Sequence, residues 1–437
     1  MNFLSKNSEI LRIAIPSIIS NISVPLLGIV DIAITGHLGS QIYIGAISVG
    51  GTIFNMIYWI FNFLRFGTGS VTAQAFGRDN KEECALSLAR SISICLGISL
   101  LLILFHTSIL NIAMSVMEVG EMLKHNVEIY FNICIYGSVG FLGLFAFPGW
   151  YVGMQNTVIP LVVSISQNVI NIIVSLTLVY GFEMGIEGVA IGTLTAQLSG
   201  FLLSALICVK KYRDVLSFIK LTKVFRAVEM SQFFKMNSAI FLRTLCVVAV
   251  TVYFTVAGTA FGDTILASNA VLMQFFMIFT FFTDGFAYAG EAVCGKYFGM
   301  GNNAMLKITI KQLFVYGIIT AVAFTLVYIW FGFGIIKLLT DQELVVATAK
   351  EYQFWVCLIP VSSVGAFIWD GIYLGCGKVK PMLLCTFLGS SVFFITYALT
   401  NQYIGNNALW LGFILYLFVR GFVLRFSSNE LGVCQLI

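Results

Sequence analysis

The residue best suited to chemistry is Asp31, an acid set among aliphatic side chains in LLGIVDIAITGHLG. A carboxylate in such surroundings costs several kcal/mol unless it is paired, hydrated or protonated. Pro16 and Pro25 lie in the same hydrophobic stretch, which runs from Ile10 to Gly39. Each proline removes a backbone donor and invites a helix to bend. An acid on a kinked helix is placed to take up a proton as the helix moves. The plainer alternative is a hydrogen bond that locks two helices together, but for an ionisable group at this depth function is the default reading.

Other charges sit inside apolar runs. Asp284 and Glu291 are seven residues apart, hence two turns apart on one helix face, and Arg243 is a candidate counter-charge for them. Together these three could form a second cation site, although Glu291 lies nearer a helix end, where water can solvate it. Asp370, like Asp284, precedes a glycine, and pairing with backbone amides is the structural alternative for both acids. Arg65, beside Gly67 and Gly69, is either a snorkelling interface residue or a partner for a carboxylate. His37 reads as an interfacial cap, and Met154 and Gln155 as packing and loop.

These residues need a membrane-spanning scaffold. Of 437 residues, 59% are hydrophobic and 10% charged, and the mean hydropathy is +0.95. A soluble domain carries about a quarter charged residues, so the chain is an all-α polytopic membrane protein. The first apolar run is too long for a signal-peptide core and carries Pro16 and Asp31, so no cleavable signal is expected. The cysteines show no C-x-x-C or zinc spacing and read as small buried hydrophobes. No metal site, no resident cofactor and no nucleic-acid partner are expected. Without a phosphate-binding G-x-x-x-x-G-K-[ST] loop, any active process must draw on an ion gradient.

Twelve spans are expected, near 10–35, 42–64, 86–107, 129–153, 159–181, 187–209, 237–261, 265–291, 310–334, 354–376, 382–400 and 408–425. The one sizeable polar connector, 210–235, holds seven Lys or Arg residues and divides the chain into 1–209 and 236–437. Basic residues cluster at Lys6, Arg78, Lys81, this linker, Lys296, Lys378, Lys380 and Arg425, whereas the alternate loops carry Glu183, Glu187, Asp263, Asp341 and Glu343. The positive-inside rule then places both termini in the cytoplasm. A shift of 222 residues carries Phe76-Gly77 onto Phe298-Gly299, and Tyr151 and Gly153 onto Tyr373 and Gly375. Six spans per copy make these parallel repeats, two six-helix lobes related by a pseudo-two-fold axis along the membrane normal.

The motifs resemble the multidrug and toxic compound extrusion (MATE) family. Pro16 in LRIAIPSI is followed fifteen residues later by the acid of VDIAITGHLG. FLRFGTGSVTAQAFG, FFTDGFAYAGEAVCGKYFG, IWDGIYLG and NNALWLGFILYLFVRG are similar to its DinF-like branch. The resemblance, which covers essentially the whole chain, implies outward- and inward-open states and efflux of organic compounds driven by protons or sodium. It also implies a cation site in the first lobe. Asp31 matches its first acid, Asn171 its asparagine and Thr193 its threonine, while Ser175 stands where a second acid is expected. One carboxylate suits a proton switch better than a sodium site, because hard cations seek several oxygens and anionic ligands.

The expected function is proton-coupled antiport of organic, cationic or amphipathic compounds by a monomer in the bacterial inner (plasma) membrane, and not an enzymatic reaction. Sodium coupling by the same fold and flipping of a lipid-linked oligosaccharide are the alternatives. A pyrophosphate cargo calls for several cavity cations, and only Arg65 and Arg243 are candidates. A membrane-embedded transferase would need a His and acid constellation that His37, His106 and His125 do not supply, and a channel would need a filter-like motif. Cysteines introduced into the 210–235 linker should react with an impermeant thiol reagent only in inside-out vesicles; labelling in intact cells would overturn the topology.

Overall fold

The computed structural model describes residues 3–36, 41–117 and 119–428; His37 lies outside them. Every regular element among the described residues is helical, as it must be where no water can satisfy an open backbone. The first half contains α1 (Phe3–Gly36), α2 (Gln41–Phe61), α3 (Phe63–Gly77), α4 (Lys81–Leu104), α5 (His106–Val116) and α6 (Glu121–Cys134). It continues with α7 (Ser138–Gly153), α8 (Val158–Leu176) and α9 (Ile186–Lys211). The short α10 (Arg213–Leu216) and α11 (Leu221–Val224) follow. The second half consists of α12 (Ala227–Thr259), α13 (Asp263–Gly299), α14 (Asn303–Leu339), α15 (Glu343–Gly375), α16 (Val379–Ile404) and α17 (Asn407–Phe426).

Eleven helical segments among the described residues are long and apolar enough to cross a membrane. Two of them are interrupted: α2 and α3 meet at Asn62, and α6 and α7 join through the 3-10 turn Ile135–Gly137. With the 34-residue α1 they make twelve spans, six in each half. Both Pro16 and Pro25 lie within α1, which stays helical through them.

Several span ends differ from the sequence expectation, the fourth starting at Glu121 and the tenth at Glu343, before 129 and 354; three further differences have a traceable cause. The third span stops at Leu104, and His106 Nδ1 sits 2.8 Å from the carbonyl oxygen of Ile103, starting the separate helix α5. The polar linker shrinks to 212–226, because AVEMSQFFKM has no breaker and carries α12 back to Ala227. What remains is fastened to α4: Arg90 donates to the carbonyls of Val224 (3.2 Å) and Lys223 (3.4 Å), and Lys223 Nζ meets Glu82 Oε1 at 2.5 Å. Thirdly, contacts divide the chain into Ile19–Phe233 and a second unit that takes the described residues up to Ile18 and from Phe234 onward. The start of α1 thus falls with the second half, where Glu9 accepts from Lys296 Nζ (2.7 Å) and Tyr297 Oη (2.8 Å).

The repeat survives in the packing. In the first unit Gly149 and Gly153 of α7 face α3, and an added Cβ would come 2.3 Å from Arg65 O and 2.8 Å from Gly69 O. In the second unit Gly371 and Gly375 of α15 face α13, where it would come 2.2 Å from Ala287 O and 2.4 Å from Glu291 O. All eight positions correspond at the offset of 222. Between apolar helices in lipid, close backbone approach replaces the hydrophobic drive as the source of attraction. The caps repeat as well: Asn80 accepts from the Glu83 amide at 3.0 Å and Asn302 from the Met305 amide at 3.1 Å. Tyr151 donates to Ser204 O (2.7 Å) and Tyr373 to Leu424 O (2.8 Å), so each half ties its fourth span to its sixth.

Gly149→Ala and Gly371→Ala should each lower stability in detergent by about 1–3 kcal/mol through overpacking. Gly365→Ala should be nearly neutral, because its Cβ would meet only the Gly421 Cα, at 3.6 Å. Thermal unfolding of the three variants checks the order.

Candidate functional site

In the first unit, Asp31 comes from α1, Asn171 and Ser175 from successive turns of α8, and Thr193 from α9; all four are buried. The Thr193 hydroxyl donates to Asp31 Oδ2 at 3.1 Å, and Asn171 Nδ2 donates to Thr193 Oγ1 at 3.3 Å. The donors therefore run in one direction, towards the carboxylate, an arrangement that suits its ionised form. Gly192 lets α8 and α9 approach, since a Cβ there would fall 2.0 Å from Ser175 Oγ. The second half of α1 is held on α8 by Ser23 and Ser164, whose hydroxyls are 2.6 Å apart, and by Asn168 Nδ2, which donates to Ser23 O at 2.8 Å. Among the described residues, Ser175 Oγ and Asn171 Oδ1 have no hydrogen-bond partner.

Tyr130 was not singled out from the sequence, yet its phenol sits among Cys134, Thr193 and Asp31. Gly50 makes its position available, because a Cβ there would lie 2.5 Å from the Tyr130 ring. Only the missing side chain at Gly50, on another helix, could have hinted at this, and one sequence does not show which helices meet.

The second unit assembles a different centre. Asp370 Oδ2 accepts from Arg243 Nη2 and, at 2.6 Å, from Arg420 Nη2. Arg420 Nη1 also donates to Tyr416 Oη at 3.2 Å, and its guanidinium lies 5.1 Å from the centre of that ring. The grouping of Arg243 with Asp284 and Glu291 is therefore corrected: Arg243, on α12, reaches Asp370 on α15, while both other acids belong to α13. Asp284 is half-buried and Glu291 fully buried. Arg420 escaped the sequence reading because it lies near the end of the last span, where an arginine ordinarily snorkels. Arg65 is buried, with its guanidinium 4.7 Å from the Phe66 ring centre.

The two centres have opposite electrostatic characters. Asp31 is met by a neutral hydroxyl, and a hydrogen bond to a charged group returns about 1.5–3 kcal/mol, less than a buried charge loses. Asp370 is met by two guanidinium ions, so its cluster carries a formal charge of about +1 and has no negative charge left for a cation.

Comparison with known proteins supplies the family. The MatE model matches twice, at residues 16–177 and 239–400, once in each half. The chain belongs to the MatE family. DNA damage-inducible protein F of Escherichia coli (strain K12) is 31% identical over 424 residues, covering 96% of this chain and 92% of that protein. Multidrug resistance protein NorM of Vibrio cholerae is 21% identical over 431 residues, covering 93% of this chain and 92% of NorM. Among solved structures, MATE in the bent conformation superposes with a TM-score of 0.86 at 17% identity, over 98% of this chain and 96% of that one. The Vibrio cholerae MATE transporter VcmN in the bent form gives a TM-score of 0.86 at 16% identity, over 98% and 97%. The chain is thus a multi-pass membrane protein of a transporter family with bacterial members, and the double MatE match coincides with its internal repeat.

Asp370→Asn should destabilise the protein by about 3–5 kcal/mol, because it strips the counter-charge from two buried arginines. Asp31→Asn removes a charge whose hydrogen-bond donor is neutral and should cost far less. Thermal unfolding of both variants in one detergent tests this ordering.

Proposed function

We propose that this MATE protein is a secondary antiporter that exports organic, cationic or amphipathic compounds in exchange for protons by alternating access. The observation that carries this reading is the arrangement at Asp31. It is one buried carboxylate at the end of an uncharged donor chain, with serine at position 175 where the family pattern sets a second acid. Protonation cancels the desolvation cost of the charge without requiring any new partner. Ionised, Asp31 offers the negative charge that a cationic compound needs, so proton and substrate compete for one group. The cluster of Arg243, Asp370 and Arg420 supplies no such charge and is assigned to holding the second lobe.

Helix α1 would carry the movement. Pro16 and Pro25 leave carbonyls without an amide donor one turn earlier, which lowers the resistance to bending at those levels. The rest of the proposed frame is a monomer in the bacterial plasma membrane, with 1–209 and 236–437 as its lobes, both termini in the cytoplasm and no cofactor.

A second reading, sodium coupling at the same centre, is favoured by the two buried oxygens without partners, Asn171 Oδ1 and Ser175 Oγ. They could join Asp31 and Thr193 as ligands of a hard cation. Purified protein in liposomes, loaded with a fluorescent organic cation and given either a pH or a sodium gradient, separates the two. Proton coupling requires efflux with the pH gradient alone. Asp31→Asn should abolish uphill transport, at least a tenfold loss, while remaining folded and inserted. Efflux driven by sodium alone and lost in Asp31→Asn would establish the second reading, and uphill transport by Asp31→Asn would reject both.

A further inference from the structure

On the second unit, α12 and α16 line a groove near the start of α16, where Lys378 and Lys380 lie. Further along, the two helices are clipped together. Tyr253 packs against Phe393, Phe394 and Tyr397 with ring centres 5.1–6.1 Å apart, and Ser390 Oγ donates to Cys246 O at 3.4 Å. Nearer the start of α16 the clip ends, leaving the groove, of about 490 Å³. Leu242, Leu245 and Cys246 form one wall, and Leu383, Leu384 and Phe387 the other. The sole charged residue lining it is Lys380, in the first turn of α16. Lys380 is exposed and forms no ion pair among the described residues.

We propose that this groove is a binding site for one anionic phospholipid, with an acyl chain between α12 and α16 and the headgroup phosphate on Lys380. The volume lies within the range of small-ligand sites. The apolar lining, on helices that cross the bilayer, fits a hydrocarbon chain. One unpaired ammonium at the headgroup end, on the side of the chain that gathers basic loops, fits an anionic rather than a zwitterionic lipid. Lysine at the end of a span also extends towards the interface, where a phosphate lies. Arg243 is the neighbour of Leu242 on α12, so a lipid seated here would bear on the helix that presents Arg243 to Asp370. The site is independent of Asp31 and of the coupling ion, and its test involves no transport.

The test uses the purified full chain, delipidated in mild detergent and exposed to an equimolar mixture of phosphatidylglycerol and phosphatidylcholine with identical acyl chains. Native mass spectrometry reads the retained lipid. One lysine near the headgroup layer predicts a preference for phosphatidylglycerol of about fivefold. Lys380→Gln should bring that ratio close to one, and Lys380→Arg should preserve it. Leu384→Trp, which fills the groove from an exposed position, should reduce retention of both lipids. sn-Glycerol 3-phosphate, which has the phosphate without the chains, should not compete. Equal retention of the two lipids by the parent, an unchanged ratio in Lys380→Gln, or competition by glycerol 3-phosphate would each overturn the proposal. The variant positions face outward, and circular dichroism confirms that each protein is folded before its ratio is read.

Discussion

The constraint on which the rest depends is the price of charge in a medium without water. A carboxylate or guanidinium drawn into the apolar spans has to be met by something, and the two centres meet theirs in different ways. Around Asp31 the compensation is made of dipoles: a threonine hydroxyl, backed by an asparagine amide. Around Asp370 it is excessive and made of ions. Ionic over-compensation ties α12, α15 and α17 together. The two acids stand in superficially similar surroundings, yet one is met by dipoles and the other by ions.

Around both centres the helices are held by glycine contacts that follow one offset. Because Gly149 and Gly153 repeat as Gly371 and Gly375, the seam between the second and fourth spans of each half belongs to the scaffold and not to either centre. The backbone turns repeat too. Asp79, Gln155 and Glu183 have positive φ in the first half, and Gly301, Gly377 and Gly405 occupy the same offset positions in the second. Turn geometry has been kept while the residue type drifted, and glycine relieves in one copy the strain that a side chain carries in the other.

Much of this was legible in the sequence, because hydropathy, loop charge and a constant offset are properties of residues near one another in the chain. The spans, their number and the repeat follow from such signals, and Asp31 stood out because an acid in an aliphatic run is conspicuous without knowledge of its neighbours. Pairing was less legible. Arg243 was visible as a buried charge, but its acid lies 127 residues away, and two other acids were nearer in the chain. Arg420 and Tyr130 were missed for the same reason: their meaning comes from the helix opposite, and helices crossing a bilayer carry little in their sequence to say which ones touch. Helix ends were misjudged where turns run on beyond the apolar core, as at Ala227 and Gly299.

The offset also shows where the two halves parted. Shifted by 222, Asp31, Asn171 and Ser175 fall on Tyr253, Phe393 and Tyr397. The latter three are themselves in contact, the Tyr253 ring lying 6.1 Å from Phe393 and 5.5 Å from Tyr397. The same three positions therefore converge in both units, on polar groups in one and on aromatic rings in the other. Conversely, Arg243, Asp370 and Arg420 fall back on Asn21, Pro148 and Leu198, none of them charged. Each copy has kept the convergence and filled it with different chemistry. Two acids that titrated independently at equivalent places would allow intermediate charge states, with one lobe switched and the other not. The second copy instead packs rings at those positions, and its Asp370, at a place with no charged counterpart, is held by two arginines.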